Sequence, residues 1–157
     1  MLRSTSIMTT LIMCLAAAAA AQEVQVFEGR FQPASTTASA YTGAIEFTSD
    51  GIEAEFGQKY VVTSFGNLLA IVETGKGGPT FAELFAVDES TSITIRKVRS
   101  QIIPPSAPNG GFCDDEPTSF LAMVQVGQEL RVAAFKGQLM GGGASPGDLC
   151  GTYNYAR

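Results

Sequence analysis

Alternation of apolar and polar residues is clearest in the first third of the chain. Ile45 and Phe47 alternate with a glutamate and a threonine, and residues 52–56 alternate three apolar residues with two glutamates. Ser49-Asp50-Gly51 separates the two runs, and its glycine tolerates a positive φ. A period of two is typical of a half-buried strand, so this region predicts a β-hairpin.

Runs of β-branched and aromatic residues predict further strands. Gly66-Asn67 is interpreted as the turn of a second hairpin and Gly127-Gln128 as the turn of a third. A short stretch rich in strand-forming residues, 23–28, precedes the first hairpin. The strands predicted beyond the first hairpin are residues 60–65, 68–73, 91–98, 119–126, 129–135 and 150–155.

Four segments do not show a clear strand pattern. Residues 33–40 are mostly Ser, Thr and Ala without a period, and residues 102–112 contain three prolines and two glycines, so both predict loops. Residues 141–147 predict a glycine-rich connection. Residues 81–87 are ambiguous, because their apolar residues fit one helical face while their short length favours a strand.

Many short strands with turn residues between them, and no convincing helix or internal repeat, indicate an all-β fold. The prediction is a single small antiparallel barrel or sandwich of about eight strands with one disulfide. A barrel would also remove the exposed strand edges that favour aggregation.

The first 21 residues have the three parts of a secretory signal peptide. Arg3 supplies the positive charge, residues 11–20 form a short apolar stretch, and Ala19 and Ala21 precede the cut. We therefore expect a signal peptide over 1–21 and a secreted or periplasmic β-domain over 22–157, with no membrane span. The alternative of a lipid-modified Cys14 is disfavoured, because Ile12 and Met13 rather than small residues precede it.

Charge restricts the partners. The chain has 157 residues, with 10 Lys and Arg against 15 Asp and Glu, for a net charge of -5. Loss of Arg3 with the signal peptide leaves a mature net charge of -6. Nucleic acids and anionic lipids require basic surfaces, so this balance disfavours both and favours a cationic protein, a metal or a neutral ligand.

Two of the three cysteines, Cys113 and Cys150, remain after cleavage. An even cysteine count in a small exported chain indicates a disulfide, and two cysteines allow one pairing. The competing interpretation is a metal or redox pair, which lacks both the CxxC spacing and a histidine.

The complete absence of histidine excludes Ser/His/Asp and Cys/His catalysis and histidine-containing zinc sites. Asp114, Asp115 and Glu116 form the one local carboxylate group worth testing, as a cation site or as the acid–base groups of a hydrolase, although no EF-hand pattern is present. Glu53 and Glu55, two apart, are interpreted as the solvated face of a strand.

Two other groups lie on predicted strands, and only the first is a candidate for recognition. Tyr153 and Tyr155 share one face of the last predicted strand and form either an exposed recognition strip or part of the core beside the disulfide. Arg96, Lys97 and Arg99 are interpreted as the solvent face of a strand, paired across the sheet with glutamates.

These observations predict an exported, non-enzymatic binding module without a cofactor, which recognises an envelope protein or a small ligand. A cationic protein, bound in the manner of an inhibitor, fits the negative charge. The alternatives are a small hydrolase or cation-binding protein using Asp114, Asp115 and Glu116, and a carrier of an apolar ligand inside a hollow barrel.

Overall fold

Eight antiparallel strands close into a barrel in which each strand pairs with its neighbours in sequence and β1 pairs with β8. The computed structural model describes residues 25–137 and 148–157. The predicted signal peptide, Cys14 and the glycine-rich connection lie outside the described residues. The strands are β1 (Gly29–Pro33), β2 (Ile45–Phe47), β3 (Gly51–Ala54), β4 (Lys59–Leu69), β5 (Ser92–Ile102), β6 (Phe120–Val126), β7 (Glu129–Phe135) and β8 (Leu149–Ala156).

The predicted all-β fold with about eight strands is confirmed, and of the two architectures the structure has the barrel. The first and third hairpins are confirmed as β2–β3 and β6–β7. Gly51, at the start of β3, is required by close approach, because a Cβ there would lie 1.8 Å from the carbonyl oxygen of Tyr60. The first strand lies later than predicted, since residues 25–28 carry no regular structure and β1 begins at Gly29.

The second predicted hairpin is wrong. Residues 59–69 form one continuous strand, β4, which pairs with β5 along its length. Gly66 has a φ of 150°, a conformation that favours glycine, and it follows a register shift between Ser64 and Gly66. The glycine that resembled a turn residue therefore belongs to a β-bulge.

Two further predictions, a loop at 33–40 and a strand at 81–87, are wrong because each segment contains a short helix. Helix α1 (Thr36–Tyr41) lies in the segment predicted as a loop, where Ser35 caps it by accepting a hydrogen bond from the backbone N–H of Ala38. Helix α2 (Phe81–Phe85) lies where a strand was favoured, and Thr80 and Glu83 form a capping box at its start. Within the described ranges, no helix is long and apolar enough to cross a membrane.

The core has two layers separated by the sheet. Along β6, Leu121 and Met123 belong to a cluster that fills the barrel interior, whereas Ala122 and Val124 belong to a cluster on its outer face. Helix α2 covers the outer cluster with Phe81 and other apolar side chains. Both faces of β6 are therefore buried, which explains its nearly continuous apolar sequence.

One end of the barrel is closed by residues 103–118, which we call the plug loop. Phe112, at its centre, is fully buried against the rings of Tyr60 and Tyr153, each at a centroid distance of 4.9 Å. Its N–H donates to the Tyr60 hydroxyl at 3.0 Å, and its carbonyl accepts from the Tyr153 hydroxyl. The long loop predicted at 102–112 thus exists, but its last three residues, 110–112, are buried rather than solvated.

The predicted disulfide adjoins the plug. Cys113 and Cys150 form a bridge with a Cα–Cα distance of 5.0 Å, which ties the plug loop to β8. Gln58, also buried, donates to the carbonyls of Tyr41 and Gly110 at 2.6 and 2.8 Å. The loop is therefore attached to β8, to the segment before β4 and to the end of α1.

All four tyrosines of the chain titrate at higher pH than usual. Burial raises the pKa of Tyr60 to about 12, although the Phe112 N–H opposes the shift. Burial also raises the pKa values of Tyr153 and Tyr155. The hydrogen bond from Tyr41 to the Asp114 carboxylate, followed by the charge of that carboxylate, raises the pKa of Tyr41.

Breaking the disulfide should lower stability. Its two cysteines are 37 residues apart, and loop closure of that length corresponds to about 4 kcal/mol of stabilisation. Urea unfolding with and without reductant should show a loss of that order. The Cys113→Ser/Cys150→Ser variant is the control, because reductant should leave it unchanged. Two free thiols in the exported protein would contradict the prediction.

Tyrosine burial predicts a loss of stability at alkaline pH. An unfolded tyrosine deprotonates near pH 10, whereas Tyr60 retains its proton to about 12 when folded. As pH rises above about 10, the unfolded state loses protons first, and the free energy of unfolding decreases, by about 2 kcal/mol at pH 12 from this group alone. Below pH 10 the contribution is fully present.

The measurement is tyrosinate absorbance, together with unfolding curves from pH 8 to 12. We expect the three tyrosines whose pKa values burial raises, Tyr60, Tyr153 and Tyr155, to form tyrosinate only together with unfolding. Tyr60→Phe should be less stable at neutral pH by about 1 kcal/mol, because the Phe112 N–H loses its acceptor, but its stability should decline less steeply above pH 10. Absorbance from more than one tyrosinate near pH 10 in the folded protein would contradict this account.

Candidate functional site

The barrel surface carries an open cleft where β5 and β6 diverge. The two strands pair only over Thr94–Lys97 and Phe120–Met123, whereas β5 continues to Ile102 and remains paired with β4 there. The space left, which we call the β5–β6 cleft, has a volume of about 460 Å³. It is lined by Phe65, Lys97, Val98, Arg99, Ser100, Gln101, Pro117, Thr118, Ser119, Phe120 and Gly137.

Two β-bulges shape the cleft. Phe65 has no partner between the pairs Ser64–Arg96 and Gly66–Ile95, and Arg99 has none between Val98 and Ser100, which pair with Val62 and Val61. An extra residue in one strand bends that strand and redirects its side chain, and bulges recur beside functional sites for this reason. Both unpaired residues line the cleft.

An aromatic pair forms the apolar part of the cleft. Phe65 is 55% exposed, and its ring meets the ring of Phe120 edge-on at 5.3 Å. Phe120 itself is buried and belongs to the outer core cluster. The exposed ring therefore stands on a rigid base, and its open face is available for an apolar contact.

Lys97 and Arg99 supply positive charge. Lys97 lies opposite Thr63 on β4 and Phe120 on β6, so it shares the outward face of Phe120. Both cations are exposed and make no ion pair among the described residues, unlike Lys59, Arg131 and Lys136, which pair with glutamates at 2.7 to 3.0 Å. The described residues that line the cleft include no carboxylate.

Single hydrogen bonds join β5 to residues 118 and 119, which form the opposite wall of the cleft. The side-chain oxygen of Gln101 accepts the N–H of Thr118 at 2.9 Å, which bridges the gap between the diverging segments. The N–H of Val98 donates to the carbonyl of Ser119 at 2.9 Å and limits how far the gap opens. The Thr118 hydroxyl is buried and has no hydrogen-bond partner among the described residues.

A second, smaller cleft of about 210 Å³ lies beside α2. Its central side chain, Arg131, donates to the carbonyls of Phe85 and Ala86 at the end of that helix and to Glu129. The hydrogen bond from Arg131 lowers the pKa of Glu129. This arginine is therefore engaged in holding α2 on the barrel, and we assign it a structural role.

The three carboxylates of the predicted site are not grouped as the ligands of one metal ion. Asp114 hydrogen-bonds to Tyr41, and Glu116 pairs with Lys136 at 2.7 Å. No three Asp, Glu or Cys side chains among residues 25–137 and 148–157 are grouped so that they could hold a metal ion, so Asp114, Asp115 and Glu116 do not converge on one. The sequence does not reveal that Glu116 has a lysine as its partner and that Asp114 lies beside a tyrosine.

Tyr153 and Tyr155 do not form a recognition strip. They are 2% and 0% exposed, and both belong to the interior cluster. The Tyr155 hydroxyl hydrogen-bonds to that of Thr42 at 2.7 Å. The alternative of core packing beside the disulfide is therefore the one that the structure shows.

The predicted basic strand face is partly confirmed. Lys97 and Arg99 are exposed, but Arg96 lies opposite Leu121 of the interior cluster and is half-buried. The cross-strand glutamate partners do not exist, because Ser64 and Thr63 lie opposite Arg96 and Lys97 on β4.

Glu53 lies in β3 and Glu55 directly follows it, and each contacts a nearby partner. Glu53 pairs with Lys59 at 2.9 Å, and Glu55 accepts the backbone N–H of Ala44 at 2.8 Å. They are exposed and engaged with different partners, as expected of a solvated strand face rather than a catalytic pair.

The cleft thus combines an exposed aromatic ring, two cations without ion pairs and a buried hydroxyl without a partner. Sequence reasoning singled out the cations but not Phe65, Thr118 or Phe120, since their proximity depends on the two bulges and on the return of the plug loop. The role of the cleft has to be inferred from its own residues, because no protein-family model, curated protein or solved structure matches this chain.

Proposed function

We propose that this chain is an exported, non-enzymatic binding protein that holds its ligand in the β5–β6 cleft. The proposal rests on one observation: Phe65, Lys97 and Arg99 line the same cleft on the outside of the barrel. Exposed aromatic rings and arginines are the side chains most often found at recognition sites. Here they line a concave space of a size that suits a ligand.

Binding suits this cleft better than catalysis. Ser100, Thr118 and Ser119 offer hydroxyls, but a hydroxyl nucleophile requires an adjacent base. The chain has no histidine, and the described lining contributes no carboxylate.

The interior of the barrel offers less support for a ligand carrier. Large side chains fill it, among them Phe31, Tyr60, Leu121 and Tyr155, each at most 1% exposed. The carboxylate alternative also receives less support, since Asp114 and Glu116 are engaged with other side chains.

The local charge of the cleft changes the expected partner. Net charge favoured a cationic protein, but the side chains that line the cleft are cationic and favour an anionic group on the ligand. We therefore place the anionic contact in the cleft and assign no ligand to the acidic remainder of the surface.

Export is the second part of the proposal. The pattern of residues 1–21 and the bridge between Cys113 and Cys150 both suit an oxidising compartment outside the cytosol. We expect the mature protein to begin at Gln22 and to carry no lipid.

Mass spectrometry of the intact protein from its own host tests export. The expected mass corresponds to residues 22–157 with one disulfide. A chain that keeps residues 1–21 would contradict export, and a chain that begins with a diacylated Cys14 would contradict the soluble form.

Native mass spectrometry tests the binding function. Wild-type protein incubated with a metabolite extract of its host should retain a small molecule, and Phe65→Ala/Arg99→Ala should not. Ile71→Ala/Lys76→Ala is the matched control, because both residues are exposed and neither lines the cleft. The released molecule should have the same mass as in the extract. Equal retention by the two double variants would contradict the cleft, and a changed mass would contradict a non-enzymatic role.

A further inference from the structure

We infer that the ligand of the β5–β6 cleft is a small organic carboxylate with an aromatic or bulky aliphatic body. Lys97 and Arg99 bind the carboxylate, and Phe65 with Phe120 contacts the body. The inference rests on the proposed function and adds the chemical class of the ligand.

Charge complementarity is the first argument. Two cations that make no ion pair with any described residue lie two residues apart on β5, and both line the cleft. Two neighbouring positive charges repel each other, and an anion bound between them offsets this repulsion. A guanidinium offers two parallel N–H donors that match the two oxygens of a carboxylate, and a lysine adds a further donor.

The aromatic pair defines the rest of the ligand. Phe65 exposes more than half of its surface, whereas Phe120, 5.3 Å away, is almost fully buried. An inorganic anion or acetate would leave the Phe65 ring in water. A ring or branched chain attached to the carboxylate would cover it and add the apolar contact that free solvent does not provide.

The size of the cleft favours a free molecule over a protein surface. Its volume of about 460 Å³ lies towards the lower end of the range of about 300 to 1,000 Å³ that is typical of small-molecule sites. A stable protein interface instead covers roughly 800 Å² on each partner, far more than the lining of this cleft provides.

The Thr118 hydroxyl gives the cleft a further polar preference. It is buried, lacks a partner among the described residues and belongs to a residue that lines the cleft. A hydroxyl donates a hydrogen bond to an acceptor such as a carboxylate oxygen. A hydroxyl also accepts hydrogen bonds, so this preference is for a polar group in general, and the preference for a carboxylate over an ammonium group comes from the charges of Lys97 and Arg99.

The test compares three probes that separate charge from body. The first is 2-naphthoate, which has a carboxylate and a naphthyl ring. The second is the neutral 2-naphthamide, which has the ring without the charge, and the third is acetate, which has the carboxylate without the ring. Calorimetric titration of the mature wild-type protein should give a dissociation constant for 2-naphthoate about tenfold or more below those of the other two, consistent with a charge-assisted hydrogen bond.

Variants show which residues bind the carboxylate of the probe and which contact its naphthyl ring. Lys97→Gln and Arg99→Gln should each weaken 2-naphthoate binding by about three- to tenfold and leave 2-naphthamide unchanged. Phe65→Ser should weaken both naphthyl probes. Lys76→Gln, an exposed lysine elsewhere, is the matched control and should bind like wild type. Melting curves verify that each variant is folded, and Phe65→Leu replaces Phe65→Ser if the latter is not.

Each pattern of results is decisive. Equal binding of 2-naphthoate and 2-naphthamide, insensitive to Lys97→Gln and Arg99→Gln but weakened by Phe65→Ser, would overturn the carboxylate and keep the cleft as a binding site. Absence of binding by any probe, or binding that no cleft variant changes, would overturn the inference. If the double variant Phe65→Ala/Arg99→Ala also retained the host metabolite, the proposed function would fail separately.

Discussion

The backbone of Phe112 must be satisfied inside an apolar barrel, and this constraint organises the rest of the structure. A buried N–H or carbonyl without a partner is destabilising by about 1 to 3 kcal/mol. Tyr60 and Tyr153, on strands that do not neighbour each other, provide the acceptor and the donor through their hydroxyls. The two tyrosines fix the position of the plug loop, and the disulfide at the next residue ties it to β8.

The position of the plug loop determines where the cleft lies. The loop leaves the sheet after β5 and returns to it only at Phe120, so the last five residues of β5 have no strand partner on that side. Gln101 and Ser119 provide single hydrogen bonds in place of a ladder. The cleft is therefore a consequence of closing the barrel end, and its cations and aromatic ring occupy space that a longer β6 would otherwise fill.

Local patterns in the sequence are sufficient for much of the fold. The alternation in β2 and β3 has a period of two and identifies the first hairpin, the turn residues Gly127-Gln128 between two apolar runs identify the third, and the cysteine count allows one disulfide. Helices α1 and α2 have six and five residues, too few to establish a helical period. Their capping residues, Ser35 and Thr80 with Glu83, were the signals that could have identified them. Gly66-Asn67 resembles a turn because a turn and a bulge both favour glycine.

The candidate site was less predictable, because it depends on register and direction. Neither the bulge at Phe65 nor that at Arg99 can be inferred without the pairing of β4 with β5. The direction of Asp114, which has a φ of 55°, likewise depends on the plug loop around it. Tyr153 and Tyr155 alternate as a strand face should, but alternation does not show which face is buried.

Net charge was the most misleading guide to recognition. A total of -5 describes the field far from the protein, whereas contacts in salt solution are governed by charges within a Debye length of about 8 to 10 Å. Several carboxylates already act locally, with Glu53, Glu116 and Glu129 each facing a cation. Lys97 and Arg99 have no such partner in the part of the chain that the structure describes, so a ligand meets positive charge in the cleft although the chain is acidic.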